Sequence, residues 1–421
     1  MKEGREIRTT RMNSAATRQN GKSAAWQRRA AAAMLMMYRR RRLMIRLADI
    51  LLRPLAWLSR SGPAPELDQV KSILVFEAAN LGDIVILAPL LRSLRARFPQ
   101  ARLAFLGKSS AESFLREQEL ADELIPIRVP WAEHMSRWRR YNPFSPLWLN
   151  FAWSLIRLRK RRFDLAFASG RSDIRHNLAL WLTGARRRVG YGHAGGSFLL
   201  TDVVLPDLGH PHVTDLTLQF LKHLNIPIVR DHLLLSVTAE DQGIADKIFN
   251  ERGVGPHDLL VGIHSGARKG VRQWGEDRFR EVAVQIVERF GGKIIWFADP
   301  AQPHAAPTIP NIIPVLLPLR QFLAVLSRCR LLVCNDSGPM HMAAGLGVPV
   351  VAVFGPTQPE WFGPLGSQHR VVIRRDVWCR PCADHCLFEE PYCLRLIPVK
   401  QVMEAVTEIM GSLSLASAST L

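Results

Sequence analysis

Apolar runs bounded by small and polar residues alternate with helix-period stretches along most of the chain. Residues 71–78 hold Ile73, Leu74, Val75 and Phe76 in succession, the pattern of a strand buried on both faces. A loop at 79–83 (Ala-Asn-Leu-Gly-Asp) follows, and Ile84, Leu87, Leu91 and Leu94 then mark one face of a helix that ends near Pro99. The next strand is predicted at 101–106, with further strands at 124–127, 164–168, 186–189 and 202–204. Residues 227–240 read as a link, after which the rhythm restarts. Strands are predicted at 259–263, 293–297, 331–334 and 348–354, and helices at 277–290, 319–327, 340–346 and 399–410. This alternation predicts two successive parallel α/β domains, 67–235 and 236–421, facing across a cleft, behind a basic extension at 1–66.

Two segments depart from this rhythm. Residues 128–162 carry nine Lys/Arg against one acid, Glu133, interleaved with Trp131, Trp138, Tyr141, Phe144, Trp148, Phe151 and Trp153. A core helix accounts for 147–158, and the remaining cations and aromatics point to a membrane interface or a glycolipid surface. In the extension, residues 1–33 have no apolar centre and predict disorder rather than a secretory signal. Between residues 34 and 59, Met44, Leu47, Leu51, Leu55 and Leu58 share one helical face, while Arg39, Arg42, Arg46, Asp49 and Arg53 share another. Those charges argue against a spanning helix. They fit an amphipathic helix on an anionic membrane, with packing on the protein's own core as the alternative. Residues 1–60 contribute +12 of the formal net charge of +19, so the basic excess belongs mainly to this arm. No recognition motif supports nucleic-acid binding.

The ends of the predicted strands carry the chemistry. Residues 335–339 read Asn-Asp-Ser-Gly-Pro between a strand and a helix. Such a turn offers backbone amides and a positive helix end to a phosphate, or is an ordinary capped helix start. His264, Ser265, Gly266 and Ala267 form a second small-residue loop, followed by Arg272, with Arg268 and Lys269 as alternative cations. The chain has no D-x-D for a metal on a nucleotide sugar, so fixed cations and the amides of 337–340 would balance a diphosphate. Asp83 opens a helix in the other domain, where it is either a helix-start carboxylate or a base for an acceptor hydroxyl. Gly190-Tyr191-Gly192-His193-Ala194-Gly195 spells G-x-G-x-x-G, but no helical pattern follows it and no dinucleotide site is predicted. Cys379, Cys382, Cys386 and Cys393 fit no standard metal-ligand spacing well, and ordinary thiols in a compact loop are the expected reading.

Taken together, Gly82-Asp83 with Pro89 and Leu94, Val189-Gly190-Tyr191, His264–Ala267 with Arg272 and Trp274, and residues 335–344 through Phe354-Gly355-Pro356-Thr357 resemble the ADP-heptose:lipopolysaccharide heptosyltransferases, glycosyltransferase family 9. The resemblance covers roughly 70–410 and implies the GT-B fold, two Rossmann-like domains facing across a cleft. It implies an inverting, metal-independent and cofactor-free transfer of heptose from ADP-heptose to a lipid-linked inner-core saccharide, at the cytoplasmic face of the inner membrane. Under it Asp83 is the base and Arg272 stands where a phosphate-binding lysine is usual. Asp336 meets the sugar, Ser337, Gly338 and His341 line the diphosphate end, and Pro339 and Met340 complete the donor loop. Gly275 replaces a usual proline, and Phe297-Ala298-Asp299-Pro300 replaces a glycine-rich nucleoside segment. Two alternatives stay open: another nucleotide sugar or acceptor on the same fold, and a non-catalytic GT-B-like membrane protein.

Overall fold

The computed structural model describes residues 47, 49–51, 54, 64–78, 81–132, 142, 144–168, 173–193, 195–207, 212–229, 235–298, 309–382 and 384–418, the last five without their side chains. The chain divides into two compact units, Met1–Pro54 and Leu55–Leu421. In the first, Leu47, Ile50 and Leu51 are exposed. The other residues of the proposed amphipathic face lie outside the described residues, apart from Asp49.

The second unit holds two six-stranded sheets. In chain order the elements that matter are β1 (Ser72–Phe76), α1 (Leu81–Arg97), β2 (Arg102–Gly107), β3 (Glu123–Pro126), α2 (Pro146–Arg157), β4 (Leu165–Ala168), α3 (Ile174–Thr183), β5 (Arg187–Tyr191), β6 (Asp202–Val204) and α4 (Val213–His223). There follow α5 (Ala239–Glu251), β7 (Leu260–His264), α6 (Glu276–Phe290), β8 (Lys293–Phe297), β9 (Ile312–Val315), α7 (Leu319–Ser327), β10 (Leu331–Asn335), α8 (Gly338–Gly345), β11 (Val350–Phe354), β12 (Arg370–Ile373) and α9 (Val399–Ala418). The predicted strands all form, within two residues of their expected ends. Edge strands β9 and β12, and helices α3, α4 and α5, were not marked in the sequence.

Both sheets are wholly parallel, and their orders are β3-β2-β1-β4-β5-β6 and β12-β11-β10-β7-β8-β9. Numbered within itself, each sheet has the doubly wound order 3-2-1-4-5-6. The order reverses between β1 and β4 in one sheet and between β7 and β10 in the other. Open α/β sheets bind ligands at these switch points, beyond the carboxyl ends of the strands. Asp83 follows β1, the 264–267 loop follows β7 and the 335–341 loop follows β10, so the expected site residues sit at both switch points.

The central strands are apolar on both faces because helices cover both sides. Leu74, Val75, Leu332 and Val333 are fully buried, each contributing roughly 1.5–3 kcal/mol by transfer from water. α1 is apolar nearly all round, as befits a helix enclosed by neighbours. Its residues share one continuous core with Met340, Met342 and Ala343 of α8 and with Leu218 and Leu221 of α4. That core spans both halves of the unit, so α1 and α8 are held against each other by apolar packing.

The insert divides into inward and outward aromatics. Trp131, Trp148 and Phe151 pack with Phe76 and His176, with ring centroids 5.2–6.5 Å apart. Phe144 and Trp153 are exposed, and Arg157 lies over the Trp153 ring at 4.4 Å. Trp138 and Tyr141 lie outside the described residues.

Candidate functional site

Two glycines meet closely across the two halves. A Cβ at Gly82 would stand 2.9 Å from Gly338 Cα and 3.4 Å from His341 Cδ2. Only a residue without a side chain lets these backbones approach. The first turn of α1 therefore faces the first turn of α8, and Asp83 belongs to the former, because the helix begins at Leu81. Asp83 bears electrostatically on both Arg272 and Asp336, which places the three charges in one region.

β10 ends in Asn335, which organises the donor-side loops from a fully buried position. Its Nδ2 donates to Ser265 O at 2.7 Å, and its Oδ1 accepts from Trp274 N at 3.0 Å. Gln273 Nε2 donates to Ala267 O at 2.9 Å, closing the same loop on itself. Trp274 is anchored further by its indole N–H, which donates to Ile397 O at 3.0 Å. One buried amide thus fixes the spacing between the 264–267 loop, the Arg272 segment and the start of α8. Asn335→Ala would strand a buried N–H and a carbonyl, so a loss of about 2–4 kcal/mol is expected in chemical denaturation. A midpoint equal to wild type would contradict this role.

Gly275 adopts φ +115°, a region that L residues rarely enter. Proline at this position would need φ near −65°. A proline could not follow the backbone path that Gly275 takes here.

Arg272 sits at the junction of three acidic groups. Its Nε and Nη2 donate to Asp384 Oδ1 and Oδ2, both at 2.7 Å, and its Nη1 lies 3.1 Å from Asp336 Oδ2. Lys269 Nζ donates to Asp384 Oδ2 at 2.7 Å, while Arg268 is exposed. Asp336 is 2% exposed and also accepts a hydrogen bond from Thr357 Oγ1. Burial pushes its carboxyl above the ordinary range, Arg272 and Thr357 draw it down, and Asp384 and Asp83 push it up. Burial acts the same way on Asp384, but hydrogen bonds from Arg272 and Lys269 hold it down to about 2.

The remaining expected residues fall as follows. His264 is the buried last residue of β7, and His341 is buried in α8 with its ring beside Gly82. Ser337 takes the extended N-cap position of α8, its hydroxyl donating to Asn335 O at 3.2 Å. Pro339 has no N–H, and Met340 N donates to Ser337 O at 3.2 Å with its side chain in the core. Of the three amides at 337–340, those of Ser337 and Gly338 stand at the helix start, where an anion would meet them. Sequence reasoning missed Asp384, which lies 112 residues from Arg272, and gave Thr357 no role. Asp299 and Pro300, in the segment expected near the nucleoside, lie outside the described residues.

The thiols of Cys379, Cys382, Cys386 and Cys393 interact electrostatically with one another. Burial raises the Cys379 and Cys393 thiols and pushes Cys382 up to about 11, which keeps these three protonated at neutral pH. Among the described residues, no group of three or more His, Cys, Asp or Glu is placed to hold a metal ion. The G-x-G-x-x-G sequence ends β5 and runs into a short 3-10 turn at Ser197–Leu199, not the helix that a dinucleotide site needs.

The fold is shared with known proteins. The glycosyltransferase family 9 (heptosyltransferase) profile matches residues 154–392. Lipopolysaccharide heptosyltransferase 2 of Escherichia coli (strain K12) is 25% identical over 320 residues, 71% of this chain and 87% of its own length. The solved family 9 glycosyl transferase from Veillonella parvula DSM 2008 aligns with a TM-score of 0.63 at 23% identity, covering 83% of this chain and 100% of that one. The E. coli heptosyltransferase WaaC with ADP aligns with a TM-score of 0.57 at 16% identity, covering 80% of this chain and 99% of that one. At these identities the two structures speak to the fold, which is that of the GT-B glycosyltransferases. The profile match spans more than half of the chain: the protein belongs to glycosyltransferase family 9, the heptosyltransferases, and is a glycosyltransferase.

Proposed function

We propose that the protein transfers a heptose from ADP-heptose to the inner core of lipopolysaccharide, with inversion and without a metal. The observation that carries this reading is the approach of Gly82 to Gly338, which sets Asp83 against the Arg272–Asp336 region. In the reaction, Asp83 takes the proton of the acceptor hydroxyl as its oxygen attacks the anomeric carbon. The bond from that carbon to the diphosphate oxygen breaks, and the electron pair leaves with the nucleotide. Arg272, Lys269 and the amides of Ser337 and Gly338 receive the charge that develops there. Asp336 binds the sugar, and His264–Ala267, Pro339 and His341 shape the pocket around the donor. A single displacement inverts the anomeric centre. Without a metal, Arg272, Lys269 and the helix-start amides are the N–H donors that would receive the departing diphosphate.

The acceptor is held by the N-terminal half, 67–235, and the donor by 236–421. The enzyme works at the cytoplasmic face of the inner membrane as a peripheral protein. No helix among the described residues is long and apolar enough to cross a membrane. Leu149, Trp153 and Ile156 are exposed on α2, followed by the exposed cations Arg157, Arg159, Lys160, Arg161 and Arg162. Apolar and cationic groups side by side suit an anionic lipid surface. Flotation with vesicles containing phosphatidylglycerol is expected to carry the wild-type protein, and Trp153→Glu is expected to weaken it several-fold. Equal flotation of the two would remove α2 from the contact.

The same fold with another nucleotide sugar or acceptor is the second reading, favoured by Arg272 in place of lysine and by the backbone path at Gly275. Calorimetric titration with ADP, UDP and GDP separates the two. The first reading expects ADP to bind at least tenfold more tightly than the others. Preference for UDP or GDP would overturn it, and no binding of any of them would favour a non-catalytic role.

A further inference from the structure

The cysteine loop reaches the Arg272 cluster through Asp384. Asp384 lies between Cys382 and Cys386, and its side chain is 8% exposed. It adopts φ +71°, an uncommon conformation for a residue with a side chain, although one that aspartate tolerates. From there it takes both Nε and Nη2 of Arg272 in a two-pronged contact and receives Lys269 as well, each at 2.7 Å.

We infer that Asp384 is a positioning residue for the donor diphosphate: it fixes the plane and direction of the Arg272 guanidinium. This rests on the reading of Arg272 as the cation that meets that diphosphate. A guanidinium is planar and directional, and its value to a phosphate depends on where its fork points. Arg272 carries five N–H hydrogens on a flexible stem. Asp384 engages two of them, and Asp336 stands 3.1 Å from Nη1 on another side. Two buried carboxylates from different segments therefore set which hydrogens remain for a ligand. Arg272 and Lys269 face two carboxylates, Asp384 and Asp336, so the cluster's grip on an anion comes from the directed N–H groups of Arg272 left unengaged rather than from a net positive charge.

The thermodynamic cycle tests this. ADP binding is titrated calorimetrically to wild type, Asp384→Asn, Arg272→Ala and the double variant, with thermal melts alongside. Asp384→Asn is expected to weaken ADP about five- to tenfold and to raise the donor KM with the acceptor KM unchanged. In the Arg272→Ala background it is expected to change affinity less than twofold. Tighter ADP binding by Asp384→Asn would overturn the inference, because the carboxylate would then compete with the phosphate. An equal loss in both backgrounds would also overturn it, leaving Asp384 a support of the loop alone. If Arg272→Ala binds ADP as wild type does, the donor-site reading itself fails, and this inference with it. Asp384→Glu keeps the charge but lengthens the arm, so it carries the same test if the asparagine variant does not fold. An intermediate loss is expected, and wild-type affinity would contradict the role.

Discussion

Asp83→Asn is expected to lower turnover by roughly 10²–10⁴-fold, the range for removing a positioned general base. The substitution is nearly isosteric and the residue sits half-buried in the first turn of α1, so the helix should remain intact. The proposed donor site is built from the other half of the unit, around Asn335, Arg272 and α8. ADP affinity should therefore stay within about twofold of wild type, which separates loss of chemistry from loss of binding. Removing a negative charge that bears on Arg272 and Asp336 acts in the direction of tighter, not weaker, nucleotide binding. Steady-state turnover with the donor saturated checks the first part and calorimetry the second. Turnover near wild type would remove Asp83 from the role of base.

Gly82→Ala is expected to lower kcat/KM by about 100-fold while the protein still folds. The added Cβ would meet Gly338 Cα at 2.9 Å, and that atom is backbone at the start of α8. No rotamer change relieves such a contact, so α1 and α8 must move apart. A misplacement on the order of 1 Å between reacting groups costs about that factor. The circular dichroism spectrum and nucleotide affinity should change little, because each half keeps its own sheet. Activity within a few-fold of wild type would show that this close approach does not set the catalytic distance.

The architecture was largely legible because central parallel strands advertise themselves as unbroken apolar runs. Ile73–Phe76 and Leu331–Cys334 are examples, each flanked by neighbours on both sides in its sheet. The strands that went unmarked are edges. β9 reads Ile-Ile-Pro-Val, and a proline is tolerated there because one side of an edge strand pairs with nothing. β12 is four residues long and begins with arginine, too short for its periodicity to stand out. In the insert, sequence reasoning grouped all the aromatics by composition. Packing then separated Trp131 and Trp148, which join Phe76 and His176, from the exposed Trp153. The candidate site was legible where short segments at strand ends carried its residues. Asp384 was not, because nothing local marks a carboxylate whose partner is 112 residues away. Met340 read as part of a phosphate-binding run, yet its side chain is core and its amide closes the turn onto Ser337.

The most direct test of the account is the transfer itself. The protein is incubated with ADP-heptose and a heptose-free lipopolysaccharide inner-core acceptor in excess chelator, and the acceptor is followed by mass spectrometry and anomeric NMR. The account predicts addition of one heptose with inverted configuration, and no addition by the Asp83→Asn variant. No transfer from ADP-heptose, transfer only when metal is restored, or retention of configuration would contradict it.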